Sequence, residues 1–401
     1  MKILLVHNFY RIRGGEDWHV EQLEKMLRKN GHEVETYFRS SNEIENFSII
    51  QALCFPINFL YSLSSKKEIE RIISDFRPDL VHVHNVFPLI SISVYAACEK
   101  LRVPVVQSIH NYRLMCLNGL FMLENGKVCE KCASGNFVNG AIRRCYQRSF
   151  LNSLWMAFAL TLQRWNGCLW RRASIFVCPT SFVRMKLEEA GCPSEKIREV
   201  SYFVPDNFES RNEVYGNPPY ALYLGRLSQE KGIETMLAAF EKMPDIALKI
   251  VGGGPMAAFV ESRIKSPSLS HVKYLGYVGE DQKKQLLEGA ACLIFPSECY
   301  ETTGITMLES FQVGTPVIGS RFGRREFFIK DSENGWLFEV GSAESLREAV
   351  KKVFSSSAHG CGMRKKARQT FVDKFSEVIA HQGLMNCYEA ALNNSWKLSK
   401  L

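Results

Sequence analysis

Twice along the chain, short apolar runs rich in Val, Ile and Leu alternate with stretches of helical periodicity, and a turn-rich segment separates the two series. In the first series Ile3–His7, Glu33–Phe38, Leu80–His84, Val103–Ser108 and Ile175–Cys178 read as strands. Helices are expected over Trp18–Asn30, closed by Asn30-Gly31, and over Phe182–Ala190. After Pro205-Asp206-Asn207 and Gly216-Asn217-Pro218-Pro219 the alternation restarts, with strands at Ala221–Leu224, Leu248–Val251, Val272–Leu275, Cys292–Phe295 and Val317–Ile318. Strands separated by helices need crossover connections, and crossovers build parallel sheets covered on both faces. The expected fold class is therefore α/β, with two Rossmann-like, doubly wound domains facing each other across a cleft. Their expected limits are 1–205 and 206–375. Ligands of such sheets sit outside the carboxyl ends of the strands.

A chain of 401 residues accommodates two domains of ordinary size. No apolar run reaches the roughly 18 residues that read as a spanning helix. The start, Met1-Lys2-Ile3-Leu4-Leu5-Val6, reads as a core strand and not as a secretory signal, so a cytoplasmic protein is expected. Its thirteen cysteines then read as thiols or metal ligands and not as a disulfide framework. The net charge of +8 is uneven: residues 1–205 hold 26 Lys/Arg against 19 Asp/Glu, leaving 24 against 23 for the rest. The stretch 141–172 concentrates the excess, with Arg143, Arg144, Arg148, Arg164, Arg171 and Arg172 and no acidic residue. Such an excess suits an anionic membrane, a nucleic acid or a phosphorylated substrate.

The chemistry gathers at strand ends. Pro296 to Glu309 places Glu301 in a Gly-containing loop after a strand and Glu309 in the short helix that follows. Eight residues within one helix would turn the two carboxylates about 80° apart; with Glu301 in the loop, both can point to one ligand. Backbone N–H groups near Thr303 and Gly304 suit a phosphate at the helix N-terminus, and carboxylates accept hydrogen bonds from sugar hydroxyls. Arg226 and Lys231 flank the loop Gly225–Gly232, a fork and a point charge fit for a diphosphate. Gly14 and Gly15 follow the first strand and permit close backbone approach, although the spacing is not G-x-G-x-x-G and disfavours a nicotinamide cofactor. His110 sits just past a strand. His82 and His84, two apart on another strand, face one way but have no third metal ligand nearby.

Taken together, these residues resemble a retaining glycosyltransferase of family 4 with the GT-B fold. The matches are Gly14-Gly15, Gly225-Arg226-Leu227 with Lys231-Gly232, Val251-Gly252-Gly253-Gly254-Pro255, the pair Glu301 and Glu309, and Gly314-Thr315-Pro316-Val317-Ile318. The resemblance covers nearly the whole chain. It implies transfer of a sugar from a nucleotide diphosphate sugar (UDP- or GDP-sugar) with retained configuration. By motif, Arg226 and Lys231 would hold the diphosphate, Glu309 the ribose hydroxyls and Glu301 the donor sugar. Thr303, Gly304 and Ile305 would supply N–H groups, Gly14, Gly15 and Gly253 would lie near the donor, and His110 would contact its sugar. No metal is implied for the chemistry, and the leaving phosphate would take the acceptor proton. Thr303 departs from the family, which carries a bulky residue there. The resemblance also implies that the final helix, within 376–401, returns to the first domain.

His7-Asn8-Phe9-Tyr10 and Ser108-Ile109-His110-Asn111-Tyr112-Arg113-Leu114 resemble bacterial enzymes of surface-polysaccharide assembly. That implies a glycan or polyprenyl-linked acceptor and no nucleic-acid partner. The stretch 141–172 combines its arginines with Trp155, Phe158, Trp165 and Trp170, as interfacial helices do, so an anionic membrane is an expected partner and the protein is expected to sit peripherally at the inner face of the plasma membrane. Cys116, Cys129, Cys132 and Cys145, spaced C-x12-C-x2-C-x12-C, are expected to close a structural zinc site. A nucleotide-sugar epimerase or hydrolase of the same fold, or a non-catalytic nucleotide-sugar-binding subunit, are the alternatives.

Overall fold

The computed structural model of the chain describes residues 1–165, 168–206, 218–355 and 359–398. The turn-rich segment between the two series lies largely outside them. The chain divides into two compact units: Met1–Phe121, Cys129–Tyr202 and Glu377–Leu401 form the first, Met122–Val128 and Phe203–Ser376 the second.

Unit 1 is built on a six-stranded parallel sheet in the order β2-β1-β3-β4-β5-β6. Its strands are β1 (Lys2–Phe9), β2 (Glu33–Ser40), β3 (Leu80–Val83), β4 (Val105–Ser108), β5 (Ile175–Cys178) and β6 (Ile197–Glu199). β1 is buried without a break from Ile3 to Asn8, which is what a central strand covered on both faces requires. The helix Gly15–Lys29 carries Glu16 and Asp17 in its first turn and Arg28 and Lys29 in its last, each sign matched to the helix dipole. The final helix, Glu377–Leu398, packs on β3, β4 and β5, with Tyr388 and Ala391 fully buried.

Unit 2 holds a second parallel sheet, β12-β11-β10-β7-β8-β9. Its strands are β7 (Tyr220–Leu224), β8 (Ala247–Val251), β9 (Val272–Tyr274), β10 (Cys292–Phe295), β11 (Val317–Ser320) and β12 (Gly335–Phe338). Ile233, Met236, Leu237 and Phe240 of the helix Ile233–Phe240 close its core against Leu248, Ile250 and Ile294. The sequence pattern missed β6 and β12. Both are edge strands, one of three residues and one opening on glycine, too short and irregular to show a period.

In each sheet the first strand lies between two others, and the direction of winding reverses beside it. The switch points fall between β1 and β3 and between β7 and β10, which brings the loops after those strands to the two crevices where doubly wound sheets bind ligands. In unit 2 the backbones of three such loops are sewn together. Leu227 N–H donates to Gly253 O (2.8 Å), Gly252 N–H to Gly276 O (2.8 Å) and Gly225 N–H to Val251 O (3.1 Å). The approach is so close that a Cβ on Gly252 would lie 1.9 Å from Gly225 O, at a φ of +128. A Cβ on Gly253 would meet nothing within 4 Å. Gly252→Ala is therefore expected to destabilise unit 2 by about 2–4 kcal/mol and Gly253→Ala by less than about 1 kcal/mol. Urea denaturation of the two variants checks the contrast.

Candidate functional site

The loops after β7 and β10 and the helix that follows β10 hold the residues singled out in unit 2, with Gly253 in the loop after β8. Glu301 lies in the loop, and Glu309 lies inside the helix Ile305–Gln312. The Lys231 ammonium donates a short hydrogen bond to Glu301 Oε1, and Ser297 Oγ donates to the same oxygen at 2.7 Å. Burial alone would raise the Glu301 pKa, but the Lys231 and Arg325 cations outweigh it and hold the carboxyl below its ordinary value. Burial likewise opposes the charge on Lys231, and Glu301 reverses the effect. Each member keeps the other ionised.

Arg325, which the sequence reading passed over, anchors this loop. Its buried guanidinium donates to Ser297 O (2.9 Å), Cys299 O (2.9 Å) and Ser320 O (3.1 Å) and lies 5.2 Å from the centre of the Phe295 ring. Three main-chain carbonyls held by one guanidinium define the path from β10 to Glu301. Gly304 then turns the chain into the helix at φ +90, where a Cβ would lie 2.6 Å from the Phe295 ring. The N-cap residue, Gly304, has no side chain to cap that helix, and the N-terminal turn formed by Ile305 and its neighbours presents N–H groups suited to an anion. The hydroxyl of Thr303 is buried beside it without a hydrogen-bond partner among the described residues.

Glu309 is buried, and burial raises its pKa above the ordinary carboxylate value, with Lys283 pulling the other way. Lys283, from the helix Glu280–Gly289, donates to Glu309 Oε1 at 2.7 Å and also meets Glu280 at 2.7 Å. This lysine too was missed: it stands on a separate helix, 26 residues away in sequence, and nothing local marks it. Arg226 is exposed at the end of β7, with no ion-pair partner among the described residues. The diphosphate contacts assigned to it and to Lys231 thus begin from different states, one side chain open and one already paired.

In unit 1, His110 is buried and well below its ordinary pKa because burial disfavours its charge. Both ring nitrogens are engaged: Nε2 lies 2.7 Å from His84 Nδ1, and Nδ1 makes a short hydrogen bond with the Tyr202 hydroxyl. A donor-sugar contact through this ring would have to displace one of them. His82 bonds Tyr388 and Ser108, each at 2.8 Å, and burial takes its pKa down to about 3. These histidines are neutral hydrogen-bonding elements. Gly14 and Gly15 stand exposed at the start of the helix Gly15–Lys29, and a Cβ on Gly14 would meet nothing within 4 Å. Beside them Tyr10 donates to Glu16 Oε2 (2.9 Å), and Asn111 Nδ2 donates to the same oxygen (3.1 Å). This polar cluster was also missed.

The four cysteines of the expected zinc site, Cys116, Cys129, Cys132 and Cys145, all belong to unit 1. Cys132 lies within electrostatic reach of Cys116, Cys129 and Cys145, and the N–H groups of residues 118–121 face the Cys116 sulfur. Yet among the described residues no group of three or more His, Cys, Asp or Glu side chains is placed to hold a metal ion. The Cys116 thiol donates to Asn118 Oδ1 at 3.0 Å, and burial pushes the Cys132 thiol up to about 11.

Comparison with known proteins agrees with this geometry. Residues 13–208 match the family "Glycosyltransferase Family 4", and residues 206–370 match "Glycosyl transferases group 1". The chain is 26% identical to MJ1607 of Methanocaldococcus jannaschii, described as an uncharacterised glycosyltransferase, over 98% of this chain and 99% of that one. It is 24% identical to the lipopolysaccharide core biosynthesis glycosyltransferase LpsE of Rhizobium meliloti, over 51% of this chain and 61% of that one. The structure of Anabaena Alr3699/HepE in complex with UDP matches at a TM-score of 0.67 with 16% identity, covering 100% of both chains.

The Lys283–Glu309 contact has a pH signature. Because the folded-state pKa of Glu309 is raised, its favourable share of stability is complete below the unfolded value, about 4.3, and is lost as pH rises through the folded value. Lys283→Met removes the cation and enlarges that loss. The melting temperature of the variant is expected to fall progressively further behind the parent between pH 5 and pH 8. Melting curves across that range test the pairing, and a constant gap would disprove it.

Proposed function

The chain belongs to glycosyltransferase family 4, and from that premise we propose that it transfers a sugar from a UDP- or GDP-sugar to a glycan or polyprenyl-linked acceptor, with retention of configuration. The observation that carries this reading is the arrangement at the β7–β10 switch point. An exposed Arg226, a Lys231–Glu301 pair, a helix N-terminus opened by glycine and the buried Glu309 of that helix stand on adjoining loops of one unit and the helix that follows β10. Arg226 and Lys231 bind the diphosphate and stabilise the charge that grows on it as the glycosidic bond breaks, the work a divalent cation does in other enzymes. Glu309, whose Oε1 takes the Lys283 bond, accepts from the ribose hydroxyls through its other carboxylate oxygen. Glu301 meets the donor sugar, and the N–H groups from Thr303 to Ile305 meet its phosphate or hydroxyls.

Neither glutamate serves as the general base in this scheme. Glu301 is held ionised by two cations, which weakens it as a proton acceptor, and the leaving phosphate receives the acceptor proton. The UDP in the similar Anabaena structure and the lipopolysaccharide role in the name of LpsE support the donor class and a surface-polysaccharide acceptor. A polyprenyl-linked acceptor would put this work at the inner face of the plasma membrane.

Nucleotide sugars are expected to raise the melting temperature of the purified protein, since a ligand of the native state stabilises it. Arg226→Ala and Glu309→Ala are each expected to weaken donor affinity about 10- to 100-fold, the loss of one charge-assisted hydrogen bond. Thermal shift against UDP- and GDP-sugars, followed by proton NMR of the product's anomeric centre, reads both donor and stereochemistry. No shift with any nucleotide sugar, or an inverted product, would refute the reading.

A further inference from the structure

The helix Phe150–Arg164 of unit 1 leaves an apolar face uncovered. Leu151, Leu154, Trp155, Phe158, Leu162 and Trp165 just beyond it are 72, 49, 36, 48, 45 and 67% exposed. At 100° per residue the six fall within about 100° of arc. Met156, Ala157, Ala159, Leu160 and Gln163 occupy the opposite side and are buried. Isolated exposed apolar side chains are ordinary on a protein surface, but a continuous stripe of six, two of them Trp, marks a contact surface.

The charge beside the stripe selects its occupant. From Lys131 to Leu187 the chain has nine lysines and arginines and no acidic residue. Not all of them face outward. Arg164 is taken up internally, donating to the carbonyls of Ala133 and Ala190, and Trp170, grouped with the surface aromatics from sequence, is buried against Phe176. Arg143, Arg144 and Arg148 are exposed, on the segment that leads into the helix. A second copy of this chain seated symmetrically on the stripe would bring like charges together. A bilayer with anionic headgroups offers phosphates to the arginines, an apolar boundary to the leucines and an interfacial zone that Trp prefers. No helix among the described residues is long and apolar enough to cross a membrane, so attachment takes the form of a helix lying on the surface.

We propose that the helix Phe150–Arg164 is an anionic-membrane anchor that lies in the plane of the interface. Its Leu151–Trp165 stripe enters the headgroup–acyl boundary, while Arg143 and Arg144 meet lipid phosphates. The proposal gives the membrane partner of the preceding section a defined surface and rests on that reading only for its purpose, access to a lipid-linked acceptor. A second apolar stripe, Ile49, Ile50, Leu53 and Ile57 on the helix Ile49–Leu60, is exposed too but carries no charged residue within that helix. It provides the internal comparison.

The test is flotation of the full chain with vesicles of pure phosphatidylcholine or of phosphatidylcholine with 30% phosphatidylglycerol, at low and high salt. Binding is expected to be at least about tenfold stronger to the anionic vesicles and to weaken with salt. Leu154→Glu/Phe158→Glu is expected to abolish it, and Arg143→Glu/Arg144→Glu to reduce it by about an order of magnitude. Leu53→Glu should leave at least half of it. The nucleotide thermal shift of each variant, equal to the parent's, shows that the fold and donor site survive. Equal binding to both vesicle types overturns the proposal, as does flotation unaffected by Leu154→Glu/Phe158→Glu. A light-scattering mass that drops from dimer to monomer in that variant, with vesicle binding unchanged, assigns the stripe to a second copy instead. Loss of sugar transfer to a soluble acceptor while flotation persists would count against the glycosyltransferase reading alone.

Discussion

The pairing of Lys231 with Glu301 is the interaction on which the unit 2 site depends. Both side chains are mostly withdrawn from water, and each charge without the other would carry an uncompensated desolvation cost. The pair forms only because two loops from non-adjacent parts of the sequence end beside the same switch point. Arg325 fixes one of those loops through its main-chain carbonyls, and the seam between Gly225, Leu227, Gly252 and Gly253 fixes the other. The cations and carboxylates are thus pre-oriented before a ligand arrives, which is the condition for electrostatic stabilisation at little reorganisation cost.

Unit 1 solves a different problem with buried neutral groups. Its strand ends carry histidines whose charge is suppressed by burial, and side-chain partners engage them: His82 with Tyr388 and Ser108, His84 Nδ1 with His110, His110 with Tyr202, while His84 Nε2 has no partner among the described residues. Tyr388 belongs to the final helix, so this network ties the end of the chain to the strand ends of the first sheet. A buried hydrogen-bond network specifies geometry sharply because each unpaired member is costly in a low dielectric. The Tyr10–Glu16–Asn111 cluster beside Gly14 extends the polar lining of that crevice.

Much of this was legible in the chain. Central strands such as Ile3–Val6 and Cys292–Phe295 announce themselves as unbroken apolar runs, since a strand buried on both faces leaves no polar period. Glu301 and Glu309 were found because their spacing and a glycine turn are local properties. Lys283 and Arg325 were not, since a cation on one helix says nothing about the carboxylate it will meet on another. The surface of the helix Phe150–Arg164 was read in part: its aromatics and arginines were noticed, but sequence alone counted Arg164 and Trp170 among the exposed ones, where packing takes both inward.

The sequence by itself determined the doubly wound α/β class, the strand-end loops and the residue types that point to a phosphorylated sugar donor. These follow from short-range period, glycine placement and charge spacing, which are properties of neighbouring residues. The tertiary structure decided which cation meets which carboxylate and which arginines remain at the surface. Those outcomes depend on distances between segments far apart in the chain and on which groups lose water, quantities that exist only once the sheets have closed and the helices have packed.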